Sequence, residues 1–435
     1  MRQTNSQIPP ELRQVSNLFS DHFRTLNKDQ ITILNLIAMT FAKSIGLILL
    51  AQAARLSETE TEDIVGDLVK SSLVIVRENR YLVHDVTRDA ILSRLSVRQL
   101  KEIRKRLAEA IFEILKERLR FDGEWCISNA EDVPVLKPEV ENMVGAIKWA
   151  LTENHRNLAV ELYHLSDHAL VTFGYFDEAI DVCAEVIRKT AKLAPNRAAE
   201  WKATTLAYIH WLRGQLTEAR DLANSALTMS RNLRDPMRVA ESKLMLADIY
   251  MYEGKLDQAK VLFEESMVTF RRRHHKMNLA RALNDYADYW NDMLQDPHRA
   301  LPLCQESFRL YTQMKDDEGI TLSQMTMLDA LIALGEYDAS EKLLKDLRSL
   351  SERVGRPDMQ PQIDWSEATM REGQGDYAIQ QGKTKNGYRY YRVANSMAKR
   401  AKMLFSQFKF RSEVLEMDKI LRRLERKSKS LNLEV

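Results

Sequence analysis

Two histidines at helical spacing are the first residues in this sequence that could do chemistry. The stretch YHLSDH places His164 and His168 four positions apart, which puts both imidazoles on one face of a helix. Two ligands do not hold a metal ion without a third and a fourth. We therefore interpret the pair as part of a polar helix face and expect no metal site, with metal binding as the alternative.

The three cysteines, Cys126, Cys183 and Cys304, lie far apart and form no Cys-x-x-Cys pair. This spacing argues against a zinc site or a disulfide framework and fits a reducing cytosol. Cys183 and Cys304 also share one column of the repeat described below with Ala223, Phe263 and Leu344. That column faces the core in such repeats, so we expect buried structural thiols rather than reactive ones.

Sequence patterns for catalysis and nucleotide binding are missing. No Ser-His-Asp, paired-carboxylate or glycine-rich phosphate pattern occurs with useful spacing. The Gly-x-x-x-x-Gly-Lys-Ser/Thr motif and an acidic Walker B strand are likewise absent from the sequence. We expect a protein that is not an enzyme and that binds no cofactor as an isolated chain.

The C-terminal region is a candidate binding surface. From position 381 onward, 15 Lys and Arg stand against 5 Asp and Glu, and the basic residues are interleaved with Tyr and Phe. Such mixing can bind single-stranded nucleic acid by charge and stacking. We favour a basic helical cap on the preceding repeats; an acidic protein partner and nucleic acid are the alternatives. The basic patch comprises Lys383, Lys385, Arg389, Arg392, Lys399, Arg400 and Lys402.

A sequence repeat of about 40 residues determines where these candidate residues lie in the fold. The stretches GYFDEAI, GQLTEAR and GKLDQAK begin at 174, 214 and 254, a period of 40 residues, and Gln295 and Gly335 mark two further turns. An alanine follows five positions after each of the first four marks, and Ala339 comes one place early after the fifth. Glycine suits the left-handed end of a helix, and alanine suits a second helix packed closely on the first. The pattern predicts stacked helical pairs that form a solenoid.

The units resemble the tetratricopeptide repeat. In the third unit Ala247, Tyr250, Gly254, Ala259 and Phe263 match the small, aromatic, Gly, Ala, large pattern of that family. The period is longer than the usual value of about 34 residues and is similar to a long-helix variety found in regulatory and signalling proteins. The resemblance covers roughly 145–380. It implies a solenoid whose concave groove binds a protein or peptide.

In the tetratricopeptide family the first helix of each unit lines the concave face, so groove positions can be assigned by resemblance. They are Trp201, Tyr208, Trp211, Asp248, Met251, Asp288, Asn291 and Asp329. Three aspartates recur one repeat apart beside aromatic residues, which would suit a basic segment with one aromatic or aliphatic anchor. The region from Lys383 to Arg411 or the tail of a partner could supply that segment. The alternative is that the aspartates are merely tolerated at exposed helix positions.

The region 27–95 has a different pattern, with three amphipathic helices followed by two short strands. Ser57 and Glu60 form a capping box at the start of the third helix, and the strands meet at the turn REN. Three helices and a hairpin predict a winged helix. The third helix carries five acidic residues against only Lys70, so phosphates would repel it. We therefore expect a protein-contact role, with DNA reading as the alternative.

The sequence LVHDVTRDAI at 82–91 resembles the end of the winged helix in STAND-type (NB-ARC-like) signalling ATPases, where a His-Asp pair precedes a helix. His84 and Asp85 match that pair, and LSVRQLKEIRKRLAEAIFEIL resembles the linker helix of the family. The resemblance implies contact between His84 and bound ADP. Because the phosphate-binding motif is missing, this contact requires a P-loop NTPase in trans. We therefore expect a histidine that pins the junction between strand and helix, with the ADP contact in trans as the alternative.

The composition fits a globular protein. The chain has 435 residues, 45% hydrophobic and 29% charged, with a net charge of +2. We expect a cytoplasmic, mainly α-helical protein, with no signal peptide and no membrane contact, because no run of about 18 apolar residues occurs. The predicted domains are a helical lead-in at 1–26, a winged helix at 27–95, a linker helix and loop at 96–138, a solenoid of five or six repeats at 139–380 and a basic cap at 381–435.

The function predicted from these features is that of a non-enzymatic signalling sensor or adaptor. By resemblance, it is the regulatory half of a STAND-like system, with a protein or peptide partner in the solenoid groove. The alternative is a nucleic-acid-binding or transcriptional regulator that uses the basic C-terminal region.

Overall fold

The computed structural model describes residues 23–122, 125–127 and 129–431. Its chain divides into two compact units. The first comprises the described residues up to Arg118 together with Pro134–Ser166, and the second comprises Leu119–Val133 and the described residues from Asp167 onward. The predicted lead-in at 1–26 lies, up to residue 22, outside the described residues.

The first unit begins with helices and short strands that alternate. In chain order these are α1 (Lys28–Met39), β1 (Ile45–Gly46), α2 (Leu47–Ala54), α3 (Glu58–Lys70), β2 (Ile75–Arg77), β3 (Arg80–Leu82), α4 (Asp85–Leu92) and α5 (Val97–Arg118). The strands form an antiparallel sheet in the order β1-β3-β2, in which Tyr81 lies opposite both Ile45 and Val76. Strand β1 was not predicted, because Ile45 and Gly46 lie in the stretch that the sequence pattern predicted to be the second helix.

Local sequence explains these boundaries. The Ser57 hydroxyl accepts a hydrogen bond from the Glu60 amide at 3.2 Å, and the Glu60 carboxylate accepts one from the Ser57 amide at 2.9 Å. This is the predicted capping box. The turn between β2 and β3 places Glu78 and Asn79 at φ values of 52° and 58°. Two successive positive φ angles are typical of the tight hairpin turns that match strand twist.

A buried polar network joins the hairpin to the last helices of the first unit. These elements are α6 (Val133–Leu136), a 3₁₀ turn (Lys137–Glu139), α7 (Val140–Thr152) and the start of α8 (Arg156–Thr172). Arg80 donates to the Glu139 carboxylate at 2.7 and 3.1 Å. The Asn142 amide donates to Glu139 at 2.6 Å and accepts from the Thr40 hydroxyl at 2.7 Å. Since each buried polar group has a partner, the network fixes the geometry of this unit at little cost.

The second unit opens with a two-stranded antiparallel ladder, β4 (Arg120–Asp122) and β5 (Trp125–Ile127), in a segment predicted as linker loop. Six helical pairs follow in the described residues. They are α8 (Arg156–Thr172) with α9 (Phe176–Thr190), α10–α11 (Pro195–Trp201, Tyr208–Leu212) with α12 (Leu216–Asn232), α13 (Pro236–Tyr252) with α14 (Leu256–Arg272), α15 (Lys276–Asp288) with α16 (Pro297–Met314), α17 (Asp317–Ala333) with α18 (Tyr337–Val354), and α19 (Met359–Gln380) with α20 (Thr384–Gln407).

The predicted repeat marks have the predicted conformation. Gly174, Gly214, Gly254 and Gly335 have φ between 70° and 81°, and Gln295 has φ 53°, so all five lie in the left-handed region that ends a helix. The alanines at 179, 219, 259 and 300 are fully buried. After Gly335 the buried position five residues later is occupied by Ser340, and Ala339 is exposed. The spacing from the turn to the buried position is therefore the same as in the other four turns. Cys183 and Cys304 are buried in the predicted column.

The last helix, α21 (Arg411–Lys429), buries Met417, Ile420 and Leu424 and packs on α20. None of the described helices is long and apolar enough to cross a membrane. The first helices of the second and fourth pairs each contain a π-helical segment, at Lys202–Ala207 and at Tyr289–Met293. Such a segment rotates the side chains that follow it about the helix axis and often occurs at functional sites.

Candidate partner-binding groove

The first helices of successive pairs in the second unit converge on a shared inner surface. Trp211 stacks on Tyr208 of the same helix at 5.7 Å between ring centroids, and its edge meets Tyr252 of the third pair at 5.3 Å. The Arg281 guanidinium of the fourth pair lies 5.6 Å from the centre of the Tyr208 ring. Tyr252 is 47% exposed, so this aromatic group is open to a ligand.

Two residues predicted for the groove belong instead to the core. Trp201 is fully buried, and Met251 is 3% exposed within a hydrophobic cluster that includes Phe263 and Phe270. The π-helical segment after Trp201 adds a residue to the turn. This changes the rotation of Trp201 relative to Tyr208 and Trp211, and a fixed 40-residue period cannot show such a change.

The predicted acidic positions are not ordinary exposed aspartates. Asp248 is 4% exposed and lies 4.0 Å from the Arg281 guanidinium, which is also 3.5 Å from Asp285. Burial raises the pKa of Asp248 well above its usual range, repulsion from Asp285 adds to this, and Arg281 opposes it. For Asp285, burial raises the pKa to about 6 against the same arginine.

A second acidic group lies further along the fourth and fifth pairs. Asp288 and Asp329 are half-buried, and Asp292 is exposed. Burial and the nearby Asp292 raise the pKa of Asp288 well above the usual range, while the Thr326 hydroxyl acts in the opposite direction. The pKa of Asp329 is raised to about 7 by burial and then by Asp292, while the Ser366 hydroxyl acts in the opposite direction. The inner surface therefore holds acidic groups that destabilise one another.

Asn291, the remaining predicted groove residue, is 7% exposed. Its amide nitrogen donates to the Asp292 carboxylate at 2.9 Å, which turns the side chain toward the acidic group, and its carbonyl oxygen has no hydrogen-bond partner. Asp285, Asp292, Arg281 and Asn284 were missed in the sequence. Their spacing of three, four or seven residues from Asp288 was the available signal, because it places all of them on one helix face.

A buried ionic network connects helical pairs that are far apart in the chain. Glu318, on the fifth pair, accepts from Arg356 at 2.6 Å and from the Thr172 hydroxyl at 2.8 Å, and it lies 3.1 Å from His168 on the first pair. Arg356 also binds Asp358 at 2.7 and 2.9 Å and donates to the Tyr208 hydroxyl at 2.6 Å. We call Glu318, Arg356, Asp358, His168 and Tyr208 the ionic latch.

The latch sets the charges of its members. Burial lowers the pKa of His168, but Glu318, Asp316 and Asp167 outweigh it and raise that pKa to about 9. His168 and Arg356 hold the pKa of Glu318 well below its usual range despite burial. His168 is therefore a charged partner in an ion pair. Among the described residues, no group of three or more potential ligands is arranged to hold a metal ion.

The first helical pair also contacts the C-terminal helices. Phe176 meets Phe410 at 5.8 Å and Phe408 at 6.5 Å between ring centroids. A Cβ added at Gly174 would lie 2.6 Å from Pro357, so glycine is needed there for close approach as well as for its φ of 81°. These contacts and the latch hold the first pair against the fifth and the last.

The residues of the basic C-terminal patch fall into two groups on helix α20. Arg400 pairs with Asp364, and Lys402 pairs with Asp418 at 2.6 Å, so these two serve packing. The exposed patch residues Lys385, Arg389, Arg392 and Lys399 recur three, four or seven positions apart on one stripe, and Lys383 is exposed at the helix start. The rings of Tyr391, Phe405 and Phe410 are buried. The stretch from Lys383 to Arg411 is therefore a packed helix and its turn, and it does not occupy the inner surface of the same chain.

In the first unit, His84 is exposed and sits at the N-cap position of α4 without a side-chain capping bond. This contradicts the expected pinning of the junction, which only the His84 backbone carbonyl supports by accepting from the Arg88 amide at 2.8 Å. Asp85 is exposed as well. Helix α3 buries Thr61, Val65 and Leu68 and presents its acidic residues outward, as the charge pattern predicted.

Together the fold and the inner surface define a mainly α-helical protein built on a helical-repeat solenoid of the tetratricopeptide type. A similar solved structure is a signal transduction ATPase with numerous domains (STAND) protein with a tetratricopeptide repeat sensor, from Pyrococcus horikoshii. It is 15% identical, with a TM-score of 0.54 over 93% of this chain and 55% of that one. The chain thus spans about half the length of the STAND protein, and the likeness shows a shared fold.

Two further structures show weaker likeness. A Rap protein complexed with competence and sporulation factor is 10% identical, with a TM-score of 0.46 over 75% of this chain and 99% of that one. Aspartyl phosphate phosphatase F from Bacillus subtilis is 12% identical, with a TM-score of 0.41 over 91% and 95% of the two chains. No protein-family model matches the chain, and no curated protein matches it significantly.

Proposed function

We propose that this chain is a non-enzymatic sensor or adaptor that binds a protein or peptide partner on the inner surface of the solenoid. The observation that carries the proposal is the open aromatic group of Tyr208, Trp211 and Tyr252 beside partly accessible acidic residues. Aromatic residues that are held rigidly and remain partly exposed are the usual anchors of protein interfaces.

Selection of peptides from a random displayed library on the purified chain tests this function. We expect selected peptides to bind at micromolar Kd and to lose about tenfold or more in affinity to a Trp211→Ala, Tyr252→Ala variant. The matched control is Val261→Ala, Val268→Ala, which removes two exposed side chains from the second helix of the third pair. Selected peptides that bind the groove variant as tightly as the parent chain would place the partner site elsewhere and refute the proposal.

We also propose that the first unit is a winged helix and that the chain is the regulatory half of a STAND-like system, with a P-loop NTPase in trans. The element order α1-β1-α2-α3-β2-β3 supports the first part, and the exposed His84-Asp85 pair supports the second. We expect no ATP or ADP binding by the isolated chain. Calorimetric detection of micromolar ADP binding to the purified chain would contradict this.

A second candidate function, binding of nucleic acid, is favoured by the exposed stripe of Lys385, Arg389, Arg392 and Lys399 on α20. Four basic side chains on one helix face can follow a phosphate backbone. Tyr391, Phe405 and Phe410 are buried and cannot stack on bases, whereas Tyr388 and Tyr390 beside the stripe are only half-buried. Any such binding therefore depends mainly on charge.

A further inference from the structure

The inner surface contains a set of hydrogen-bond acceptors without matching donors. We call Asp288, Asn291, Asp292 and Asp329 the acceptor cluster. Asp288 and Asp292 lie four positions apart on one helix face, and Asp329 lies on the first helix of the next pair. Asp292 accepts a hydrogen bond from the Asn291 amide at 2.9 Å, and the hydroxyls of Thr326 and Ser366 lie near Asp288 and Asp329.

No cation of the described part of the chain neutralises these three carboxylates. The charged groups that act most strongly on Asp288 and Asp329 are other carboxylates, Asp292 first among them, and no ion pair of the described residues includes any of the three. Arg281, the nearest arginine on the same helix face, is already shared between Asp248, Asp285 and the Tyr208 ring. Carboxylates held this way repel one another and lack the compensation that such groups ordinarily have.

Asn291 is a second, independent observation that points to a ligand at this place. Its side chain is more than nine-tenths buried, and its orientation is fixed because the amide nitrogen donates to Asp292. The amide oxygen then has no donor. Buried amide oxygens nearly always have a partner, and an unpaired one costs roughly 1 to 3 kcal/mol. The missing partner must therefore carry an N–H or O–H group.

The cluster excludes the simplest cations. The described residues hold no group of three or more side chains arranged to bind a metal ion. An organic cation suits the geometry better, because an ammonium group has three donors, a guanidinium group has five, and neither requires a tight coordination shell. Tyr252 is 47% exposed and its edge meets Trp211, and Asp292 and Asp288 are close enough to act electrostatically on its phenol, so an aromatic side chain lies near the same carboxylates.

We propose that the acceptor cluster binds the arginine or lysine side chain of an extended peptide segment, with Asn291 accepting an N–H group of that segment. This rests on the proposed function and names the chemistry of its partner. A polyamine offers the same ammonium chemistry without peptide groups, so the test includes both sources. Charge would steer the approach of the segment, and Trp211 and Tyr252 would contact its apolar part.

The direct test uses two acetylated and amidated pentapeptides, Ala-Ala-Arg-Ala-Ala and its uncharged citrulline analogue, with spermidine as the free polyamine. Each is added to the full chain, and binding is measured by calorimetry and by the shift in Tm. We expect the arginine peptide to bind at least about tenfold more tightly than the citrulline peptide, because only the former carries a charge to the cluster. Equal binding of the two peptides, or binding of neither, overturns the inference.

Two variants assign any binding to the cluster. The Asp288→Asn, Asp292→Asn, Asp329→Asn variant should raise Tm without ligand, since repulsion is relieved, and should lose arginine-peptide binding by about tenfold or more. A matched control, Asp221→Asn, Asp257→Asn, Asp338→Asn, neutralises three exposed aspartates on second helices and should leave binding unchanged. Asn291→Ala should weaken the arginine peptide but leave spermidine unaffected. If spermidine binds more tightly than the arginine peptide and its binding is insensitive to Asn291→Ala, the cluster is a polyamine site. That result would refute the proposal that a peptide segment is the ligand.

The result is separable from the proposed function. Peptides selected on the inner surface that bind equally well after every Arg and Lys is replaced by citrulline or norleucine would support the proposed function and overturn the cation inference. If the arginine peptide binds through the cluster and no selected peptide depends on Trp211 and Tyr252, the cation inference stands and the aromatic group is not the anchor of the partner.

Discussion

Arg356 donates a 2.6 Å hydrogen bond to the phenolic oxygen of Tyr208, a residue 148 positions earlier in the chain. The arginine lies at the turn after the fifth pair, and the tyrosine lies on the first helix of the second pair. Solenoid repeats ordinarily contact only their neighbours. This bond belongs to the ionic latch, so the latch couples distant repeats and links the inner surface to the outer turn of the fifth pair.

Replacing Arg356 by Met should strongly destabilise the second unit. The change keeps an apolar stem but leaves Glu318 and Asp358 buried without their cation, and such losses cost about 3 to 5 kcal/mol. Urea unfolding of the full chain measures the effect. The neighbouring exposed residue provides the control, since Arg353→Met should change little. A similar midpoint for both variants would show that the latch contributes nothing to stability.

The His168–Glu318 pair should make stability depend on alkaline pH. The pKa of His168 is raised from 6.5 to about 9, so its contribution is fully present below 6.5 and is lost as the pH rises through about 9. A His168→Gln variant lacks this contribution. We expect its Tm to fall below the parent value near neutral pH and to approach it above pH 9. A constant Tm difference across the whole range would show that His168 is neutral.

Asp329 should also make stability fall as the pH rises, but in a more acidic range than His168. Its pKa is raised from 3.8 to about 7, so the unfolded state ionises first and stability is lost as the pH rises from 3.8 through 7. The facing groups are Asp292 on the fourth pair and the Ser366 hydroxyl on α19. Asp329→Asn should therefore be more stable than the parent chain above pH 7, and the gain should shrink as the pH falls. A destabilised variant at pH above 7, with Asp338→Asn unchanged, would contradict this.

His84→Ala should leave stability unchanged within about 0.5 kcal/mol, because the side chain is exposed and makes no capping bond. Thermal unfolding measures this, with Thr61→Val, which alters a buried hydroxyl on α3, as a variant that should shift Tm. The same His84→Ala chain, mixed with a candidate P-loop NTPase, tests the role in trans. A clear loss of Tm would restore the structural role that the sequence suggested.

The stripe on α20 should not bind nucleic acid at physiological ionic strength. Its four exposed cations provide few phosphate contacts, and non-specific binding of this kind weakens steeply with salt. Fluorescence anisotropy with single-stranded and duplex oligonucleotides at low and moderate salt decides the question. Binding that persists at moderate salt and disappears in a Lys385→Gln, Arg389→Gln, Arg392→Gln, Lys399→Gln variant would make nucleic acid the main partner.

The repeat could be predicted from sequence because its marks are local. Glycine at a left-handed turn and alanine at a close helix crossing are required by the backbone itself, so Gly214 and Ala219 identify a helical pair without any tertiary information. The same holds for the Ser57–Glu60 capping box. Strand β1 escaped prediction because Ile45 and Gly46 become a strand only by pairing with β3.

The candidate site was only partly predictable, for two physical reasons. A π-helical segment changes the direction in which neighbouring side chains point from the helix axis, and Trp201 therefore lies in the core rather than on the inner surface. The latch depends on contacts between pairs over 100 positions apart, and no periodicity encodes such contacts; the polar pattern identified His168 but could not indicate Glu318 as its partner. Asp248 and Asp288 were placed correctly on first helices, but their burial depends on neighbouring pairs.

Contact between Phe176 of the first pair and Phe410 before α21 fixes the number of repeats. Open solenoids can gain or lose a unit in evolution, because each unit needs only its neighbours. Here one additional or missing pair would separate the two phenylalanines and leave Gly174 without Pro357. Duplication of a repeat would therefore break these contacts, and new binding specificity must come from substitutions on the inner surface.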